Sequence, residues 1–521
     1  MKKKLPLGLQ HFPHLIADEC LYVDKTQLLY RLIEESRGHF LSRPRRFGKS
    51  LLISTLASLF QGKRELFATT WIASSSFSWL CHPVIWLDFS TLAGATIEEL
   101  EDSLQRALQR AAEEMGCRLA LGRTSMDTFM EFISQSAGDT GVVVLIDEYD
   151  HPLLRLQQKP DSLPAVRDWL SNFYGVIKAF NRYIRYAFVT GVSKFAKVSL
   201  FSGMNHLKDI TLDPHYATLL GITEAELRSY YTNWLEAAAE ERSSSVEEMI
   251  ALLRHWYNGY CFSGAPGTTR VYNPVSLHLF FSEMRLANYW FSTATPTFAV
   301  NLIRTQNYPV AQLEKGVFIG SSLEELHEVT HPHLLPLLFQ AGYLTIDGFD
   351  ESKQLYQLSF PNEEVRRSFF DHLIKGFTEF DETQLSLHLP LLLQSLRAGD
   401  LGEFFEGLNL FFAEIPYALH LAKEAYYHSL IYLLLRALGL RVELEMATSL
   451  GRLDLALFVE ERIYLFEFKC DSSAQSALAQ IHAKGYANRY ISSGKTLWLV
   501  GVNINRSLRR IEEWHDELFN L

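Results

Sequence analysis

The sequence predicts an α/β protein with three parts: a domain on a parallel sheet, a helical middle, and a smaller α/β domain at the C-terminus. Three observations predict it. First, the near-continuous apolar runs Val84–Phe89 (VIWLDF), Val142–Asp147 (VVVLID) and Ile184–Thr190 (IRYAFVT) alternate with helical patterns at Thr96–Met115 and Ala165–Phe180. Strands without polar alternation are covered on both faces, and helices between them imply parallel connections. Second, the chain has 521 residues, whereas a single core rarely grows beyond about 250–300 residues. Third, the rhythm changes after about residue 400.

The middle, from about 213 to 400, is rich in helical patterns. Within it Leu334–Ile346 (LLPLLFQAGYLTI) reads as helix then strand, Gly348–Gln354 as a turn, and Leu355–Phe360 as a second strand. A helix followed by a two-stranded wing is compatible with a winged-helix module. The last part reads as a helix at Glu424–Leu438 stopped by Gly439, then strands Arg441–Met446, Arg452–Val459 and Arg462–Lys469. A helix at Ala474–Tyr490 and a strand at Thr496–Val502 complete an α-β-β-β-α-β order. The domain boundaries these patterns suggest are 1–280, 281–400 and 401–521.

The net charge of −11 argues against a wholesale basic nucleic-acid binder but leaves room for a local basic groove. Five scattered cysteines without a CxxC pair suggest neither a disulfide framework nor a zinc site, so a cytoplasmic location is expected. The basic start MKKKLPLGLQHF lacks the apolar run of a signal peptide. No stretch reaches the roughly 18–20 apolar residues needed to cross a bilayer, so no membrane partner is expected. The histidines are isolated, and no Ser–His–Asp order stands out.

The segment SRPRRFGKS (Ser42–Ser50) follows the apolar HFL and precedes the helical LLISTLASLF. Strand, loop and helix in that order make a phosphate site. Gly48 lets the backbone approach phosphate, Lys49 reaches the β- and γ-phosphates, and the Ser50 hydroxyl is suited to magnesium. Arg43 stands where the usual loop has glycine. Arg45 and Arg46 add positive charge for phosphate or a partner. A lone GKS at a helix start is common. What raises it is the apolar strand that leads into Asp147 and Glu148 about 100 residues later. The first acid would hold magnesium and the second polarise the attacking water. Thr190, at the end of another strand, is placed either to sense the γ-phosphate or to cap a turn. The expected nucleotide contacts are therefore Arg43, Arg46, Phe47, Gly48, Lys49, Ser50 and Thr190. Arg182 and Arg185 are candidates for stabilising transition-state charge, in cis or across a homo-oligomer contact.

Further motifs run through most of the chain: YVDKT (Tyr22–Thr26), RPRRFGKS (Arg43–Ser50), LIDEYDHPL (Leu145–Leu153) and FVTGVSKFAKVSLFSGMNHLKDI (Phe188–Ile210). WYNGYCF (Trp256–Phe262), VYNP (Val271–Pro274), GYLTI (Gly342–Ile346) and PNEEVR (Pro361–Arg366) follow. Jointly they resemble the bacterial AAA-ATPase-like proteins that carry a PD-(D/E)XK nuclease-like domain at the C-terminus. The resemblance implies ATP as ligand, a glycine-poor loop as a family trait, and a place for Asp24 and Lys25 near the nucleotide. From the residues alone, YVDKT reads equally well as a strand ending in a helix cap.

The second constellation is GRLDLAL (Gly451–Leu457) followed by LFEFK (Leu465–Lys469). Glu467 and Lys469 are two apart on a strand and share a face, while Phe468 turns toward apolar packing. An antiparallel hairpin would bring Asp454 beside Glu467. Two carboxylates and the Phe468 carbonyl then make an oxygen site for Mg2+, with Lys469 orienting the attacking water at a phosphodiester. This looks like the site of the PD-(D/E)XK nucleases; a structural hairpin with a buried Glu–Lys pair is the plainer alternative. Glu424 and Gln480 are flanking candidates, and Lys484, Arg489 and Lys495 are candidates for a phosphate backbone. Together these readings predict a slowly hydrolysing ATP-binding protein whose nucleotide state controls a metal-dependent nuclease acting on DNA or RNA. The competing readings are an ATP-driven switch with a merely nucleic-acid-binding C-terminal domain, and an interaction protein with both sites inactive.

Overall fold

The computed structural model describes the whole chain except residues 1–2, 95, 121–123, 157–161, 195–205, 291–296, 307, 309, 321–322, 324–332, 416–423, 449–450 and 520–521. Two compact units emerge, Met1–Thr293 with Gly316–Arg366, and Ala294–Lys315 with Arg367–Leu521.

The first unit is built on five strands: β1 (Gly38–Ser42), β2 (Val84–Asp88), β3 (Val142–Asp147), β4 (Ile184–Gly191) and β5 (Lys208–Asp209). They form one parallel sheet in the order β2-β3-β4-β1-β5. The apolar runs become strands because both faces are covered: β3 is buried along its whole length. Helices occupy the connections, among them Ile97–Glu114, N-capped by the Thr96 hydroxyl, and Leu163–Ala179. The parallel register puts the C-terminal ends of β1, β3 and β4 at one edge, with Asp88 opposite Asp147 and Leu41 opposite Thr190.

Beyond the sheet, β6 (Ile222–Thr223) pairs with β7 (Val271–Tyr272), beside helices with their own core of Tyr231, Trp234, Leu253, Tyr257 and Phe280. The helix Leu334–Ala341 ends at Gly342 and leads into β9. A three-stranded antiparallel sheet follows, β8 (Val317–Ile319), β9 (Thr345–Asp350) and β10 (Leu355–Ser359), in the order β8-β10-β9. The expected wing is thus present with a third strand added. Its turn is shorter than the sequence suggests, because Gly348 stays paired with Gln357 beside a bulge.

The second unit carries the helical hairpin Glu382–Ala398 and Leu401–Glu414, then the helix Glu424–Ala437. Its sheet runs β11 (Arg441–Thr448), β12 (Gly451–Val459), β13 (Arg462–Cys470), β14 (Thr496–Asn505) and β15 (Arg510–Leu518), in that order. Only β13 and β14 are parallel, joined through the helix Ala474–Ala483. That helix stops well before Tyr490 because Gly485 turns left-handed at φ 57°. β15 is a strand that the sequence pattern does not announce. Its apolar Ile511, Trp514 and Leu518 do not alternate, and the free edge of β14 supplies the pairing instead. Among the described residues no helix is long and apolar enough to cross a membrane.

Candidate functional site

The loop after β1 closes on Gly48, whose φ of 92° is a left-handed conformation that glycine adopts without strain. Lys49 begins the helix Lys49–Phe60, so the helix N-terminus and its free N–H groups point at the turn. The Lys49 ammonium is almost fully buried, 4% exposed. It donates to the carbonyls of Arg43 (3.2 Å) and Pro44 (3.3 Å) and lies 3.4 Å from a Glu148 carboxylate oxygen. Glu148 takes φ 52°, uncommon for a residue with a side chain, and from there its carboxylate meets Lys49.

Asp147 ends β3 with its carboxyl buried, bonded to the Ser50 hydroxyl and accepting the Glu148 N–H at 3.0 Å. Burial pushes its pKa up to about 6 against the pull of Ser50 and Lys49, and the neighbouring Glu148 and Asp88 carboxylates push the same way. Four expected residues, Lys49, Ser50, Asp147 and Glu148, therefore meet at one helix N-terminus.

The other expected contacts go elsewhere. Arg43 is 1% exposed and donates to the carbonyls of Ser42 (2.9 Å), Thr211 (2.6 Å) and Tyr216 (3.4 Å). Its guanidinium lies 4.2 Å from the Phe262 ring centroid. Its side chain anchors the loop from behind, and burial lowers its pKa to about 9. Arg46, at φ 69°, donates to the Tyr289 carbonyl, and Phe47 is packed edge-on against Tyr260 and Phe262. The Thr190 hydroxyl is fully buried and donates to the Leu41 carbonyl at 2.7 Å, not toward the turn. Arg182 stacks over Tyr183.

Three residues of the site escaped the sequence reading. Asp88 ends β2 beside Asp147, and an acid closing a second apolar run was the available signal. Tyr149 donates its hydroxyl to the Ser193 carbonyl (2.7 Å), and buried Asp150 accepts the Val192 and Ser193 N–H groups. These bonds lock the end of β3 to the end of β4 and hold Asp147 and Glu148 in place.

In the second unit, Leu455 pairs with Phe466 across the β12–β13 hairpin, which sets Asp454 next to Glu467. An Asp454 oxygen accepts the Phe468 N–H at 2.9 Å. Glu467 is 1% exposed, and one of its oxygens accepts from Lys469 (3.3 Å) and from Gln480. Gln480 reaches it because Gly501 lets the Ala474–Ala483 helix press onto β14: a Cβ there would lie 2.3 Å from the Ala474 carbonyl oxygen. Burial first, then the Asp454 charge, raises the Glu467 pKa to about 7. Phe468 turns the other way, stacked on Phe466. The Glu424 side chain lies outside the described residues. Lys495 precedes Thr496, which pairs with Arg462, five residues before Glu467. At about 3.3 Å per residue it sits roughly 17 Å or more along the sheet from the carboxylates.

Residues 6–201 match the family described as predicted AAA-ATPase, and residues 422–514 match the PD-(D/E)XK nuclease superfamily. The chain is also 37% identical over 523 residues to a protein of Azotobacter chroococcum mcd 1 described as an uncharacterized protein in the vnfD 5' region, covering 98% of each chain. The chain belongs to the AAA-ATPase-like proteins with a C-terminal PD-(D/E)XK nuclease superfamily domain.

Two outcomes follow for this AAA-ATPase-like protein. Arg43→Ala strips the donor from three buried carbonyls and opens a void beside Phe262. It should destabilise the fold by on the order of 3 kcal/mol in urea unfolding; a loss under about 1 kcal/mol would refute the anchoring role. The second concerns Glu364, fully buried, accepting from the Trp290 N–H (2.8 Å) and the Ser276 hydroxyl (3.0 Å). Burial raises its pKa to about 7 from the ordinary 4.5. Between those values the folded chain holds a proton that the unfolded chain has lost. Stability should fall as pH rises from about 4.5 to about 7 and level off above, by at most on the order of 3 kcal/mol. Glu364→Gln keeps the acceptor and should flatten this slope, which urea midpoints at about pH 5 and about pH 8 would reveal. An unchanged slope would assign the pH dependence to other groups.

Proposed function

We propose that this protein binds ATP with magnesium at the loop, hydrolyses it slowly, and through its nucleotide state controls a magnesium-dependent phosphodiesterase in the C-terminal domain, acting on DNA or RNA. The division of labour follows the segments 1–280, 281–400 and 401–521. The observation that carries the reading is the meeting of Lys49, Ser50, Asp147 and Glu148 at the N-terminus of one buried helix.

The buried ammonium of Lys49 rests on two loop carbonyls and a carboxylate, which are exchangeable for phosphate oxygens. Ser50 and Asp147 suit a hard cation: a hydroxyl and a buried carboxylate stand beside two further acids. Glu148 would hold and polarise the water that attacks the γ-phosphorus. In the C-terminal domain, Asp454, Glu467 and the Phe468 carbonyl would hold magnesium, and Lys469 would orient the water. A buried Glu467 oxygen with no donor among the described residues fits that role. Magnesium there would neutralise phosphate charge and raise the acidity of a bound water.

The test has two arms. Glu148→Gln should slow ATP hydrolysis a hundredfold or more while ATP affinity stays within about threefold. Loss of binding with hydrolysis would make Glu148 a ligand rather than a base. Plasmid cleavage with magnesium, with and without ATP, tests the control. Equal rates in wild type and Lys49→Ala under both conditions would remove it. Magnesium-dependent binding without cleavage would favour the switch over the nuclease.

A further inference from the structure

A cavity of about 110 Å³ lies in the first unit and shares Phe47 and Gly48 with the phosphate loop. Three stretches wall it: Leu21–Val23 with Lys25, Leu51, Leu52 and Thr55 of the loop helix, and Leu219–Ile222. Tyr231 and His278 close one side, the Tyr231 hydroxyl paired with His278 Nε2 at 2.6 Å. Burial lowers the His278 pKa to about 4, so that wall is uncharged near neutrality. The walls are mostly apolar, and the size falls near that of apolar cavities that take up an aromatic ring, on the order of 150 Å³.

The rim is held by a specific tie. The Lys25 ammonium donates to the Thr218 carbonyl (2.8 Å) and to both Glu226 oxygens (2.6 and 2.8 Å). Glu226 in turn accepts the N–H and hydroxyl of Thr223, the cap of the helix Glu224–Tyr230. Lys25 thus fastens the N-terminal segment to the segment opposite, 193 and 201 residues away in sequence, with the cavity between. Asp24 works outward, accepting the Thr26 and Trp71 N–H groups.

We propose that this cavity takes the base of the nucleotide, adenine ahead of guanine, with Val23, Leu51 and Ile222 among its walls and the Lys25–Glu226 pair as the tie that keeps it formed. The inference rests on the reading that the loop binds a nucleoside triphosphate. The geometric argument is continuity: the phosphates belong at the helix N-terminus next to Gly48, and the cavity opens on that same glycine. The selectivity argument is desolvation. Guanine carries an additional carbonyl and amino group into walls that are mostly apolar, and buried polar groups without partners are penalised. A base binds by stacking and burial here, so the pocket adds affinity the phosphate turn lacks.

Calorimetric titration of the full chain with ATP, GTP and inorganic tripolyphosphate tests this. Wild type should bind ATP at least tenfold more tightly than GTP. Val23→Trp fills the cavity from its half-buried rim, and should weaken ATP tenfold or more while tripolyphosphate stays within about twofold. Leu51→Phe fills it from the loop helix and serves as the second variant, with a thermal melt as the folding control. ATP affinity unchanged in both folded variants overturns the pocket and leaves the loop standing. Equal parallel losses of ATP and tripolyphosphate overturn it too, since they mark damage to the turn. Equal wild-type affinity for ATP and GTP overturns the adenine preference. Wild type that binds neither ATP nor tripolyphosphate defeats the loop reading itself, and the pocket with it.

Discussion

Lys49→Ala should weaken ATP binding a hundredfold or more, about 2.7 kcal/mol. The size follows from burial. The ammonium is 4% exposed and sits among two loop carbonyls and the Glu148 carboxylate, so its charge is poorly screened by water. Phosphate oxygens arriving at the helix N-terminus would exchange those weak partners for charge-assisted bonds. Alanine removes that exchange and leaves Glu148 repelling the incoming phosphate. The cleanest readout is nucleotide-dependent thermal stability. Ligand at about a hundred times its Kd should stabilise wild type by about 2.7 kcal/mol and the variant hardly at all. Lys49→Met, which keeps most of the stem, separates lost charge from lost packing. An equal ATP-induced shift in wild type and both variants would sink the assignment.

Asp454→Ala and Lys469→Ala should each lower magnesium-dependent phosphodiester cleavage a hundredfold or more, for different reasons. Asp454 stands beside Glu467 and is the second-largest cause of its raised pKa. Removing it takes away one metal oxygen and relaxes Glu467 toward an ordinary carboxylate, so higher metal concentration should not restore the rate. Lys469 donates to Glu467 and is the one ammonium in contact with it among the described residues. Its loss should leave metal binding largely intact and remove the group that orients the water. Metal titration of the cleavage rate tells the two apart. Identical cleavage by wild type and both variants would assign the activity to a contaminant.

The phosphate turn and the C-terminal hairpin were both legible because they are local. Val142–Asp147 is apolar without a break, so it had to be a covered strand, and the acids that end it had to emerge at a sheet edge. Glu467 and Lys469, two apart, share a face by the geometry of any strand. Arg43 and Thr190 show the opposite case. Nothing near Arg43 in sequence reveals that the carbonyls of Thr211 and Tyr216, 168 and 173 residues away, surround its guanidinium. Nor does the Thr190 neighbourhood reveal that its hydroxyl belongs to the Leu41 carbonyl on the adjacent strand.

The sequence by itself determined the periodicities, hence the strands and helices, and the chemical types at their ends: Lys49 and Ser50 at one helix start, Asp147 and Glu148 at one strand end, Asp454, Glu467 and Lys469 on one hairpin. The tertiary structure alone decided which of those groups face each other and which are tied up by the fold. Periodicity is set by backbone geometry over about ten residues. A side chain's partner is set by packing between segments far apart in sequence. The arginine in the glycine position of the loop was therefore readable as a charge, but only the folded chain turned it into an anchor.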